Sequence, residues 1–277
     1  MELSYKPAGQ FELTRFEKIH NVIFEFSHIA SIVVAQEIAD LIREKSKQNT
    51  HCVLGLATGS SPIKVYEELV RMHKAEGLSF QNVISFNLDE YYPMQKSNVQ
   101  SYDYFMREHL FNHVDILPEH INIPDGMVSG EDLYQSCVDY EMKIKSVGGI
   151  DFQLLGIGRT GHIGFNEPGS HLNTGTRNIK LDHITRVDAA PAFLGIDNVP
   201  TKAITMGIGT VSTAKRIVLL AWGANKADIL KKTIEGDITS HVPATYLQNH
   251  NNTTFVLDEG ASEELTRIKT PWLVTNA

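Results

Sequence analysis

Cysteine is nearly absent: Cys52 and Cys137 are the only two in 277 residues, and they lie far apart. Neither belongs to a CxxC pair, which argues against a thiolate metal site or a dithiol redox centre. Cys52 opens an apolar stretch and reads as a small core hydrophobe. Free thiols point to a reducing, cytoplasmic setting. Long apolar runs are also missing, since none reaches the roughly 18–20 residues that a membrane span needs. The start, Met-Glu-Leu-Ser-Tyr-Lys, has no basic segment leading into an apolar one, so no secretory signal is read. Positive charge is in deficit, with 25 Lys and Arg against 33 Asp and Glu. A net charge of −8 argues against general nucleic-acid binding, which needs a basic face. It leaves room for an anionic small molecule, because a few local donors outweigh the global field. HExxH metal spacing, the GxxxxGK[ST] phosphate loop and the GxSxG nucleophile elbow are absent as well.

What remains is an ordinary globular composition, 42% hydrophobic and 21% charged, in a chain long enough for one large α/β domain. Residues 29–45 carry apolar side chains near helical spacing, at Ile32, Val33, Ala35, Ile38 and Ile42. His51–Ala57 reads as a buried strand. A Thr58-Gly59-Ser60-Ser61-Pro62 turn follows, with Ser60 or Ser61 as the expected N-cap of a helix over 63–74 that Gly77 ends. Further strands are expected at 83–87, 152–156, 203–206, 217–222 and 254–257, and further helices at 101–111, 131–146, 226–234 and 261–268. Alternating strands and helices indicate a mostly parallel sheet with helices on both faces. Residues 1–25 are mixed in character and read as an N-terminal extension that docks on the surface. Residues 169–200 have few apolar runs and several turn residues, as a segment lying over a site would.

In such sheets ligands bind beyond the carboxyl ends of the strands. Four signals fall there. The first is Gly156-Ile157-Gly158-Arg159-Thr160-Gly161-His162-Ile163-Gly164-Phe165-Asn166-Glu167-Pro168, a glycine-rich turn carrying a histidine and, five residues on, a glutamate. A histidine is the side-chain type suited to exchanging protons in catalysis, and Glu167 can orient it or set its charge; the bland alternative is a plain turn with a surface histidine. The second is Thr58–Ser61, whose N–H groups and hydroxyls suit a phosphate at a helix start, or form only a capped turn. The third is Asp89-Glu90, either a proton-shuttling carboxylate or the start of a solvated loop; neighbours in extended chain point opposite ways, so at most one faces a pocket. The fourth is Lys226 in Gly223–Lys226. A cation is out of place near a helix start unless an anion joins it, and the alternative is a snorkelling surface lysine.

Taken together, Ser85-Phe86-Asn87-Leu88-Asp89-Glu90-Tyr91, Ser101–Met106, Gly161-His162-Ile163-Gly164-Phe165-Asn166-Glu167-Pro168, Leu54–Pro62 and Gly207-Ile208-Gly209-Thr210 resemble the glucosamine-6-phosphate deaminase family. Phe-Asn-Glu-Pro is the sharpest element. The related 6-phosphogluconolactonases share the glycine turn and histidine but not that tetrapeptide. The resemblance implies a Rossmann-like α/β domain over 26–270 and amino-sugar catabolism in the cytoplasm. The implied reaction, without metal or cofactor, turns glucosamine 6-phosphate into fructose 6-phosphate and ammonia. Hydrolase is the enzyme-class label expected with it. Asp89 would move a proton between C2 and C1, and His162 would assist ring opening with Glu167 and Thr160 beside it. Thr58, Gly59, Ser60, Ser61, Gly158 and Lys226 would bind the substrate. A small-molecule sugar phosphate is the expected partner, without nucleic acid or membrane, and formation of a homo-oligomer is left open.

Three departures from the family pattern stand out. Thr160 occupies a position where many members have an aspartate two residues before the histidine. The phosphate-binding arginine that follows a Thr-Arg-Val segment in well-studied members is missing from Asp188-Ala189-Ala190-Pro191-Ala192-Phe193, leaving Arg159 or Arg186 to compensate. Ser170-His171 and Arg177-Asn178-Ile179 match the allosteric site of hexameric members only in part, so that activation is not expected. Two alternatives stay open: a sugar-phosphate-binding paralogue without turnover, and a lactonase-like hydrolase.

Overall fold

The computed structural model describes residues 16–271, so residues 1–15 of the expected extension and residues 272–277 lie outside the described residues. The strands are β1 (Asn21–Phe24), β2 (Cys52–Leu56), β3 (Val83–Asn87), β4 (Asp89–Tyr92), β5 (Ile121–Asn122), β6 (Phe152–Leu155), β7 (Arg177–Lys180), β8 (Lys202–Thr205), β9 (Arg216–Ala221) and β10 (Thr253–Asp258). The helices are α1 (Ser27–Lys47), α2 (Ile63–Glu76), α3 (Tyr102–His109), α4 (Leu133–Ser146), α5 (His183–Ala189), α6 (Ile208–Val211), α7 (Ala227–Glu235), α8 (Glu259–Ser262) and α9 (Thr266–Lys269). Seven strands form a parallel sheet in the order β1-β10-β9-β6-β2-β3-β5.

The sheet is apolar on both faces because helices cover both, which is why its strands read as continuous apolar runs rather than alternating ones. One face packs Leu54, Leu56 and Val218 against Val34 and Ile38 of α1, Tyr66 and Leu69 of α2 and Met106 of α3. The other packs Phe86, Leu155 and Leu219 against Ile144 of α4 and Leu230 and Ile234 of α7. Among the described residues, no helix is long and apolar enough to cross a membrane.

Three expectations need correction. Residues 21–24, read as extension, are an edge strand of the main sheet in register with Phe255–Asp258. A four-residue strand is too short to show a period, and pairing with β10 supplies what local pattern lacks. Neither Ser60 nor Ser61 caps α2: Pro62 holds the N-cap position and no side chain bonds there, because the preceding turn opens toward a cavity instead. Asp89-Glu90, one reading of which was a solvated loop, is a buried strand. It belongs to a second, antiparallel sheet ordered β4-β8-β7, with Asp89 opposite Thr205 and Glu90 opposite Ile204.

The connection after β2 crosses to β3 on one side, while β6 and β9 lie on the other. The chain therefore splays apart at the carboxyl ends of β2 and β6, the place where such sheets leave a crevice. The segment 169–200 carries β7 and α5, and α5 forms one wall of that crevice.

Candidate active site

A cavity of about 390 Å³ fills the crevice. The turns after β2, β6 and β9 and the start of β4 converge on it. Thr58, Gly59, Ser60, Ser61, Asp89, Gly158, His162 and Lys226 all line it. Thr160 and Glu167 do not; they stand behind the imidazole of His162.

His162 Nδ1 lies 3.1 Å from Glu167 Oε2, 3.0 Å from Thr160 Oγ1 and 3.4 Å from Thr185 Oγ1. A carboxylate only accepts, so Nδ1 carries the hydrogen and Nε2 is left to exchange a proton with whatever occupies the cavity. Burial works against the Glu167 charge. The bonds from His162, Thr185 and the Asp182 N–H outweigh it and hold the carboxyl below its ordinary range. Glu167 thus supplies the carboxylate partner that Thr160 cannot.

The ring is placed by its neighbours. A Cβ at Gly158 would stand 2.2 Å from His162 Nε2, so only glycine lets the backbone pass this close. The Phe-Asn-Glu-Pro segment owes its shape to Asn166, which is fully buried. Its amide donates to Ile163 O and Met206 O at 2.9 and 2.8 Å, and its Oδ1 accepts from Arg177 at 2.9 Å. That staple fixes where Glu167 points.

Asp89 and Glu90 diverge as extended neighbours must. Glu90 turns away to accept N–H bonds from Tyr91, Tyr102 and Asp103 at 2.9–3.1 Å, the last two at the start of α3. Burial still pushes its carboxyl up to about 7. Asp89 faces the cavity and is 5% exposed. Burial first, and the charge of Glu90 second, hold its carboxyl well above the ordinary range.

At the other end, Lys226 reaches into the cavity while donating to Ile157 O at 2.7 Å, and burial lowers its pKa. Together with the Thr58–Ser61 turn it forms an end suited to an anion. Sequence reasoning missed Tyr91, Tyr102, Thr185 and Asp188, which also line the cavity. Tyr102 stacks on Phe165 with centroids 5.8 Å apart. Its hydroxyl bonds Thr58 and Tyr91, and burial keeps it a phenol. Tyr102 lies on the expected 101–111 helix and Asp188 in the 169–200 segment expected over a site, but only tertiary packing selects these side chains for the cavity. Arg186 is not at the site: it donates to Ile196 O and Val199 O at 2.8 and 3.2 Å.

The sequence profile described as glucosamine-6-phosphate isomerases/6-phosphogluconolactonase matches residues 28–256. The chain belongs to this family. It is 50% identical over 275 residues to a glucosamine-6-phosphate deaminase-like protein of Bacteroides thetaiotaomicron, covering 98% of this chain and 42% of that one. The chain therefore spans less than half the length of that relative. It is 46% identical to a glucosamine-6-phosphate deaminase of Clostridium novyi over 241 residues, 87% of this chain and 96% of the relative. Among solved structures, a monomeric glucosamine-6-phosphate deaminase superposes with a TM-score of 0.84 at 41% identity, covering 89% of this chain and all of that one. A 6-phosphogluconolactonase from Trypanosoma brucei shares the fold at a TM-score of 0.71 and 19% identity.

These relatives correct one expectation, the hydrolase label. The two relatives named above are called a deaminase and a deaminase-like protein, and the family description begins with isomerases.

Proposed function

We propose that this chain converts glucosamine 6-phosphate to fructose 6-phosphate and ammonia, acting on a free sugar phosphate in the cytoplasm. The observation that carries the reading is the single cavity that holds Asp89, the Nε2 side of His162 and the Lys226 end together. The phosphate sits at Thr58–Ser61 and Lys226, where N–H groups, hydroxyls and an ammonium converge. His162 takes the proton of the C1 hydroxyl and returns it to the ring oxygen, which opens the ring. Glu167 holds the imidazole in the needed tautomer and steadies its charge during the transfer. Asp89 then takes the proton from C2, and the resulting enolamine receives it back at C1. The carbon–nitrogen double bond left at C2 adds water and expels ammonia, giving the ketone. The two free, buried thiols fit a reducing compartment.

The test is a coupled ammonia assay on glucosamine 6-phosphate beside 6-phosphogluconolactone. Release of ammonia with fructose 6-phosphate is expected, and Asp89→Asn is expected to lower kcat by about 10²–10⁴-fold. Acid release from the lactone without ammonia would overturn the assignment.

A further inference from the structure

The anion end of the cavity holds a carboxylate. Asp188, on α5, lines the cavity beside Ala189 and Lys226. A lone carboxylate there would repel a phosphate and cancel Lys226. It is not alone: Arg159, next to the cavity-lining Gly158, grips it through two parallel bonds, Nε to Oδ2 at 2.9 Å and one terminal nitrogen to Oδ1 at 2.5 Å. Two of the three guanidinium nitrogens are used by the pair. Among the described residues no bond is recorded from the third. The Arg159 side chain is 50% exposed and that of Asp188 43%, so the pair sits at the rim, where a guanidinium can turn. Both groups lie within electrostatic reach of Lys226, Asp188 favouring its charge and Arg159 opposing it. The other nearby candidate, Arg186, is spent on backbone carbonyls.

We propose that Arg159 is the second cation of the anion end, held at the rim by Asp188 until the phosphate of the substrate takes it over. This rests on the sugar-phosphate reading above. With Lys226 as a point charge and Arg159 as a planar fork, the phosphate gains both contact types that anion sites use. The geometry also assigns Asp188 a definite part: it competes with the phosphate for Arg159, so the pair sets affinity rather than strapping α5 in place.

The two parts give opposite signs on substitution, which an ordinary ion-pair strap would not. Calorimetry with inorganic phosphate and with fructose 6-phosphate measures binding without turnover. Arg159→Ala should weaken both by about tenfold or more, the loss expected for a hydrogen-bonded charge. Arg159→Lys should fall between it and the parent, because an ammonium keeps the charge and loses the fork. Asp188→Ala should tighten both ligands severalfold. In kinetics, Arg159→Ala should raise KM more than it lowers kcat. Equal weakening by Arg159→Ala and Asp188→Ala, or phosphate affinity unchanged in Arg159→Ala, would overturn the proposal. Ammonia release by the parent protein, measured on the same preparation, reports separately on the deaminase reading: its absence alongside the predicted phosphate effects would sink that reading and leave Arg159 standing as an anion ligand.

Discussion

At the scale of single residues, the site works by contrast between neighbours. Asp89 and Glu90 are both buried carboxyls, yet one faces the cavity without a hydrogen bond among the described residues and the other accepts three N–H bonds. Asp89 is the proposed base, so its raised pKa has a kinetic consequence. The base must be ionised to take a carbon-bound proton. The acid limb of kcat/KM should therefore lie above the ordinary aspartate value of about 3.9, with activity lost as pH falls through the raised pKa. Removing the neighbouring charge with Glu90→Gln should move that limb to lower pH. A limb at the ordinary aspartate value in the parent protein would rule out Asp89 as the titrating base. Gly158 gives a second prediction. Gly158→Ala places a methyl where the imidazole stands, 2.2 Å from Nε2. The displaced ring should cost on the order of 10²-fold in kcat, while circular dichroism and the melting temperature stay near those of the parent.

At the scale of elements, the site depends on strands being anchored at the end opposite the chemistry. Asp151 is buried just before β6 and accepts the N–H of Val53 on β2 at 2.9 Å. It also bonds Lys45 in the last turn of α1 at 2.8 Å and Lys215 just before β9 at 2.7 Å. One carboxylate thus ties a helix and three adjacent strands. Burial opposes its charge, but these donors outweigh burial and hold its pKa below the ordinary value. A depressed folded pKa contributes stability that is present above the unfolded value of about 3.9 and lost as pH falls through the folded one. Asp151→Asn should lower unfolding stability by about 1–2 kcal/mol at neutral pH, a figure that allows for solvent screening around the exposed Lys215. The deficit should shrink toward pH 3. Urea titrations at pH 7 and pH 3 check both statements, and a deficit independent of pH would show that the charge is not the cause.

For the whole molecule, the cavity is made by the parallel sheet, the small antiparallel sheet and α5 together. A ligand that touches all three should couple their unfolding. Fructose 6-phosphate at about 100 times its Kd should add about 2.7 kcal/mol of stability. In a chain of this size that is a rise of about 5–10 °C in melting temperature. Differential scanning fluorimetry would show it, and an unchanged melting point at saturating ligand would exclude binding across the cavity.

The mostly parallel α/β sheet, its strands near 51–57, 83–87, 152–156, 217–222 and 254–257 with the longer helices between them, and the four segments that meet at the cavity were legible in the amino-acid sequence. Apolar runs and glycine punctuation are local, and local signals survive without coordinates. The same holds for Asp89, His162 and Glu167, whose spacing and surrounding motif mark them out. What lay beyond reach was set by contacts between segments far apart in the chain. β1 exists because β10 pairs with it, and β4 because β8 does. Thr185, Asp188 and Tyr102 reach the cavity because α5 and α3 pack beside it. Glu167 reaches His162 Nδ1 because Asn166 staples its loop to Met206 O, and Arg159 rather than Arg186 stands at the rim because Asp188 faces it. Sequence determined which chemistry was available and on which turns. Only the tertiary structure decided which groups share one cavity, because burial, hydrogen-bond partners and charge neighbours are properties of the folded chain.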